Sequence, residues 1–218
     1  MTRRRSGGFT LIELLVAIAA MALLALMSWR GIDSMGRAQA INRERADAVL
    51  TLQTSLAQWG ADLDATVALA GSTAIDWNGT VLRLTRRSTD SATPVMYVVA
   101  WILRPGSANG PRWARWQSPG FSTHEGWQQA WDGAATWATD GLTASTAGAD
   151  VALVPIDGWQ LLYYRSGAWG PPLSAEAMGS TTPLPDGVRL ILNLSAGSAL
   201  SGALQRDWMR PTLAVPKS

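Results

Sequence analysis

The chain has 218 residues, 47% of them hydrophobic and 16% charged, with one histidine and no cysteine. The length fits one domain or two small ones with a packed core, while the missing cysteine excludes disulfide frameworks, thiolate zinc sites, iron–sulfur clusters and cysteine nucleophiles, and the single histidine excludes a multi-histidine metal centre. The formal charge of +2 rests on Arg3, Arg4 and Arg5, since without them 15 basic side chains face 16 acidic ones; the basic character belongs to a targeting tip, and nucleic acid is not a favoured partner.

The first predicted element is an apolar helix. Phe9 to Trp29 is a run of 21 residues whose only charge is Glu13. At about 1.5 Å rise per residue it spans roughly 30 Å, the hydrocarbon thickness of a bilayer. Thr10, Glu13 and Ser28 are its only polar side chains, too few for the polar face of a soluble core helix. The arginines before it favour a cytoplasmic N-terminus, although Arg30, Arg37, Arg43 and Arg45 follow. Glu13 is the anomaly. A charge at the centre of a membrane helix costs about 2.5 to 3.5 kcal/mol on insertion scales and less near an end. The residues leave two readings open, a functional carboxylate or one that snorkels or is protonated.

The string Gly7-Gly8-Phe9-Thr10-Leu11-Ile12-Glu13, after an arginine-rich leader and before an apolar helix, resembles the cleavage and methylation signal of type IV prepilins and pseudopilins. The resemblance implies cleavage between Gly8 and Phe9 by a prepilin peptidase on the cytoplasmic face, then N-methylation of the new terminus at Phe9. It also implies an assembly role for Glu13, which in that family pairs with the terminal amine of a neighbouring subunit. Such pairing removes the desolvation problem of both charges at once. An ordinary secretory signal is the competing reading, through the formal cleavage site Ala17-Ile18-Ala19, but its apolar core would be eight residues long with a glutamate inside. Arg4-Arg5 alone does not make a twin-arginine signal.

Beyond the membrane span, Ala38, Ile41, Arg45, Ala48, Leu52, Leu56, Trp59 and Leu63 recur at spacings of three and four, one stripe of an amphipathic helix. The pattern predicts a continuous helix from about Thr10 to about Val67, with Gly31, Gly36 and Gly60 each weakening it by about 1 kcal/mol relative to Ala. Strands follow. Leu82 and Leu84 flank Arg83; Pro94 to Leu103 reads as a buried strand; Trp159 to Arg165 and Val188 to Leu194 alternate on period two. Pro105-Gly106, Asn109-Gly110, Asp157-Gly158 and Asp186-Gly187 mark expected turns, and the stretch from Gly141 to Asp150 reads as a loop. Trp127, Trp131, Ala134 and Ala138 share one face of a further helix. The predicted class is therefore α+β, a long N-terminal helix packed on an antiparallel sheet, with residues 1–8 as leader, 9–29 spanning the membrane, 30–70 continuing the spine and 71–218 forming a β-rich domain.

Enzyme and cofactor signatures are absent from the sequence. His124-Glu125 begins a zinc-protease motif, yet Gln128 occupies the position of its second histidine, which leaves a helix-start pair. No Walker loop, G-x-S-x-G elbow or G-x-G-x-x-G occurs, and Asp132, Asp140 and Asp150 are too far apart for an EF-hand loop. Of 12 tryptophans, 11 lie beyond the span. Arg112-Trp113-Ala114-Arg115-Trp116 has the composition of a base-stacking segment, but near-neutral charge favours tryptophans that fill a sheet–helix interface.

More loosely, Asp76-Trp77-Asn78-Gly79, Ala130-Trp131, Tyr163-Tyr164-Arg165 with Gly167 and Trp169, and Leu184 to Leu190 resemble the J-type minor pseudopilin of type II secretion, and also the W-type minor pilin of type IV pili. The resemblance implies a pseudopilin-like fold, no cofactor, and a single-pass protein of the inner membrane with its C-terminal domain in the periplasm. Its implied partners are I-type and K-type minor and G-type major pseudopilins, the prepilin peptidase, inner-membrane lipid and secreted cargo. The alternatives are a type IV minor pilin serving pilus assembly, adhesion or DNA uptake, and a membrane-tethered periplasmic enzyme or glycan binder.

Overall fold

The computed structural model describes residues 9–88, 95–106, 110–141, 148–172 and 183–211. Gly8, Asn109 and residues 142–147 of the expected loop lie outside them. The chain divides into two compact units, Met1–Ala46 and Asp47–Ser218.

Helix α1 runs unbroken over Leu11–Asp64. In the first unit it is exposed on all sides. Within the second unit one face is buried, made of Leu52, Ser55, Trp59, Asp62 and Leu63. The stripe read from the sequence is thus shorter than expected: Ala38 and Arg45 are exposed, Ile41 is 64% exposed, and Leu56 is half-buried. The helix also stops before Val67. Its continuation joins the sheet, where Thr66 bridges to Arg86, Val67 N–H donates to the Thr85 carbonyl and Arg87 N–H donates to the Ala65 carbonyl. Backbone groups engaged in a sheet ladder cannot also close helical i→i−4 bonds.

Among the described residues eight antiparallel strands make the sheet: β1 Ile75–Trp77, β2 Val81–Arg87, β3 Met96–Arg104, β4 Arg112–Gln117, β5 Ala149–Arg165, β6 Ala168–Gly170, β7 Gly187–Leu194 and β8 Gly202–Met209. Their order is β1-β2-β3-β4-β5-β7-β8, with β6 paired to β5. Helix α2, His124–Asp140, lies between β4 and β5 in sequence. The β1–β2 hairpin turns at Asn78-Gly79: the Asn78 carboxamide oxygen accepts from the Thr80 and Val81 N–H groups, and Gly79 takes φ +93° at no steric cost. Between β5 and β6, Ser166 (φ 51°) and Gly167 (φ 86°) both take positive φ, the requirement of a tight hairpin turn that matches strand twist.

Strand alternation sends side chains to two cores. Leu82, Leu84, Val99, Trp101 and Trp113 face Leu52, Trp59 and Leu63 of α1, and Val188, Leu190, Leu192 and Leu194 join the same cluster. From the opposite face Val81, Val98, Ala100, Ile102, Ala114 and Trp116 pack against Ala134 and Trp137 of α2. Trp113 and Trp116 are three residues apart and therefore face opposite ways. Trp113 sits 4.3 Å from Trp101 and Trp116 stacks 6.1 Å from Trp137, measured between ring centroids. The segment Arg112 to Trp116 is interior filling and offers no open stacking platform.

Two expectations fail at β5. Asp157-Gly158 is no turn; it lies within a strand of 17 residues whose first part pairs with β4 and whose second part pairs with β7, with a register shift between Ile156 and Gly158. The extra residue changes the phase, so that Val154 and Ile156 are buried before it and Leu161 and Tyr163 after it. The expected loop to Asp150 also gives way, because Ala149 and Asp150 already pair with Gln117 and Trp116. Gly187, expected in a turn, opens β7 opposite Met209 of β8, a strand that the sequence reading did not identify.

Among the described residues the most buried charge is Asp62, completely enclosed. Its carboxylate accepts from Arg115 Nε and Nη2 at 2.8 and 2.9 Å, Arg86 Nη1 at 2.5 Å, Trp101 Nε1 at 3.0 Å and Gln58 Nε2 at 2.9 Å. One side chain of α1 thereby ties down β2, β3 and β4. Further round the sheet, Arg189 forks onto Asp207 at 2.8 and 2.7 Å and lies over the Trp169 ring; the guanidinium holds the Asp207 carboxyl below its ordinary range. Tyr163 is buried, and burial, followed by the nearby Asp76 charge, pushes its phenol far above the ordinary range. Its hydroxyl has no hydrogen-bond partner among the described residues. Tyr163→Phe should accordingly leave stability unchanged or raise it by about 1 kcal/mol, because it removes a desolvated hydroxyl that gains nothing on folding. Urea midpoints compared at constant m would show this, and a loss above about 1 kcal/mol would reveal a hidden partner.

Candidate functional site

Phe9 and Glu13, the described residues for which the sequence resemblance implies methylation and assembly, lie at the start of α1. Thr10 is the last non-helical residue before Leu11, and Glu13 stands in the first helical turn. Helix starts leave backbone N–H groups without intrahelical acceptors, and Thr10 with Glu13 resolves two of them reciprocally. The Thr10 N–H and hydroxyl donate to Glu13 Oε2 at 2.9 and 2.8 Å, while the Glu13 N–H donates to Thr10 Oγ1 at 3.3 Å. This is a capping box, legible in the sequence as T-x-x-E ahead of an apolar run. Reading Glu13 only as a charge in lipid overlooked it. The acid also sits at the positive end of the helix dipole, where a carboxylate is favoured.

Phe9 precedes the cap and is 91% exposed, and Leu11, Ile12, Leu14, Leu15, Val16 and Ile18 are exposed on every side of the helix. The 54-residue helix is long and apolar enough at its N-terminal end to cross a membrane, and none of that apolar stretch is buried. The structure therefore brings Phe9, Thr10 and Glu13 within one helical turn. Oε1 of Glu13 takes no part in the cap, so the carboxylate has acceptor capacity left for a further donor.

The other residues singled out in the sequence are placed differently. Thr123 caps α2 by accepting the Gly126 N–H at 3.1 Å, so His124 and Glu125 form its first turn. The His124 ring stacks on Trp127 at 5.3 Å, Trp127 packs on Trp131 at 5.4 Å, and Trp127 Nε1 donates to Thr85 Oγ1 at 3.0 Å. Among the described residues no three His, Asp or Glu side chains converge to hold a metal ion.

Comparison with known proteins adds three findings. No curated protein is similar to the chain at a significant level. A chain in the crystal structure of the GspK-GspI-GspJ complex from the enterotoxigenic Escherichia coli type 2 secretion system is similar to it, with TM-score 0.49 and 15% identity, over 74% of this chain and 96% of that one. Residues 3–29 match the prokaryotic N-terminal methylation motif, so that Phe9 and the capping pair Thr10 and Glu13 all lie inside a methylation motif.

Proposed function

We propose that this chain is a minor pseudopilin of the J type, a non-enzymatic subunit that acts by assembling with I-type, K-type and G-type pseudopilins at the tip of a type II secretion pseudopilus. In this reading residues 1–8 are a leader that prepilin peptidase removes on the cytoplasmic face, Phe9 becomes the N-methylated terminus, and residues 9–29 hold the protein in the lipid of the inner membrane. Residues 30–70 carry the spine into the periplasm, and residues 71–218 meet partner subunits and secreted cargo there. The observation that carries the reading is the methylation motif over residues 3–29, which takes in the capped apolar start of a helix that is exposed all round there. An apolar helix with no partner among the described residues gains stability in lipid or among neighbouring helices.

Intact mass of the protein from cells with active prepilin peptidase tests the first step. The expected product lacks residues 1–8 and bears one methyl group on Phe9. Retention of the leader, or a cut after Ala19, would overturn the assignment.

A further inference from the structure

The border of the membrane span is uneven. Trp29, Ile32 and Met35 are exposed by 71%, 68% and 64%, and at about 100° per residue they occupy an arc of roughly 120° on one side of α1. Arg30, Asp33 and Arg37 occupy roughly 60° centred about 130° away. Asp33 and Arg37 are ion-paired at 2.7 Å and well exposed. The charged side thus begins right after the apolar run, while the other side stays apolar for a further six residues, about 9 Å of rise. Arg43 returns a charge to that second side and closes it. The ledge is continuous with the apolar run that starts at Phe9 and begins with tryptophan, a side chain that collects at membrane–water borders because its ring is amphipathic.

We propose that the Trp29–Ile32–Met35 face of α1 lies in the headgroup layer of the outer leaflet, with the helix leaning toward that side as it leaves the hydrocarbon and the Arg30–Asp33–Arg37 face turned to water. The headgroup layer is some 5 to 8 Å thick on each side of a bilayer, close to the rise of the ledge. A helix whose apolar border is higher on one side buries more apolar surface by leaning than by standing upright. The lean bears on function by setting the direction in which the chain leaves the membrane. This inference rests on the membrane-anchored reading given above.

The absence of native cysteine makes the test clean. Single cysteines at positions 23, 32, 33, 35 and 37 of the full chain take a nitroxide label. The labelled proteins are then reconstituted into vesicles of phosphatidylethanolamine and phosphatidylglycerol, and spin relaxation is measured with oxygen and with a water-soluble nickel chelate. Positions 32 and 35 should shift toward oxygen, as position 23 does, and positions 33 and 37 toward nickel. Equal nickel accessibility at 32, 33, 35 and 37 would overturn the proposal in favour of an upright exit at Trp29. Protection from both reagents at 32 and 35 would also overturn it, since a second helix would then cover the face. Nickel access at position 23 would instead sink the membrane reading itself, which keeps the two failures apart.

Discussion

Replacing Asp62 by alanine is expected to cost about 3 to 5 kcal/mol, the usual result of removing one partner from a buried charge cluster. Against a typical total of about 5 to 15 kcal/mol this is a large share. The cause is the accounting of donors around that carboxylate. Arg86 and Arg115 are both largely buried and both aim at Asp62, as does the Trp101 indole. Without the acid two guanidinium groups remain close together, with no compensating charge between them, in a site too enclosed for full hydration. Arg86→Met should cost less, because Arg115 still forks onto the carboxylate and one of two like charges has gone. Urea unfolding of the detergent-solubilised chain, followed by tryptophan fluorescence, measures both; Trp59, Trp101 and Trp113 report on the affected core. Equal losses for the two variants would mean that packing, and not charge balance, makes the site important.

At the other end of α1, if the proposed function holds, Glu13→Gln should abolish or sharply reduce co-purification with pseudopilins while leaving membrane insertion and leader cleavage intact. The choice of glutamine follows from the cap. Its side-chain oxygen can still accept the Thr10 N–H, so the start of the helix is kept, while the charge that would meet a neighbour's terminal amine is gone. Glu13→Val removes cap and charge together, and a change that takes a charge out of lipid should if anything ease insertion. The pair therefore separates two roles of one residue. If Gln assembles normally and Val does not, the helix cap is what matters. If both fail at equal membrane abundance, the charge is required; if both assemble, Glu13 is dispensable and contacts made by residues 71–218 dominate.

Local chemistry was legible without coordinates where it depends on few residues in sequence. The apolar run from Phe9 to Trp29 and the alternation of Val188, Leu190, Leu192 and Leu194 express short-range patterns, and each element stands in the structure where the residues place it; the T-x-x-E start is just as local, but the sequence reading passed over it. Helix α2 follows the same logic, with Trp127, Trp131 and Ala138 half-buried and Ala134 enclosed on one face. Long-range pairing was not legible. Asp157-Gly158 carries the composition of a turn but is held extended by partners on β4 and β7 that lie far away in sequence. The end of α1 depends likewise on β2, which takes up Ala65 to Val67. Nothing in the local sequence sets Asp62 apart from any other polar residue of a helix. Its burial follows from Arg86, Trp101 and Arg115, which are 24, 39 and 53 residues away and reach it only once β2, β3 and β4 are aligned. Periodicity assigns each residue a face, but which face is covered, and by what, is set by pairings whose partners no local pattern names.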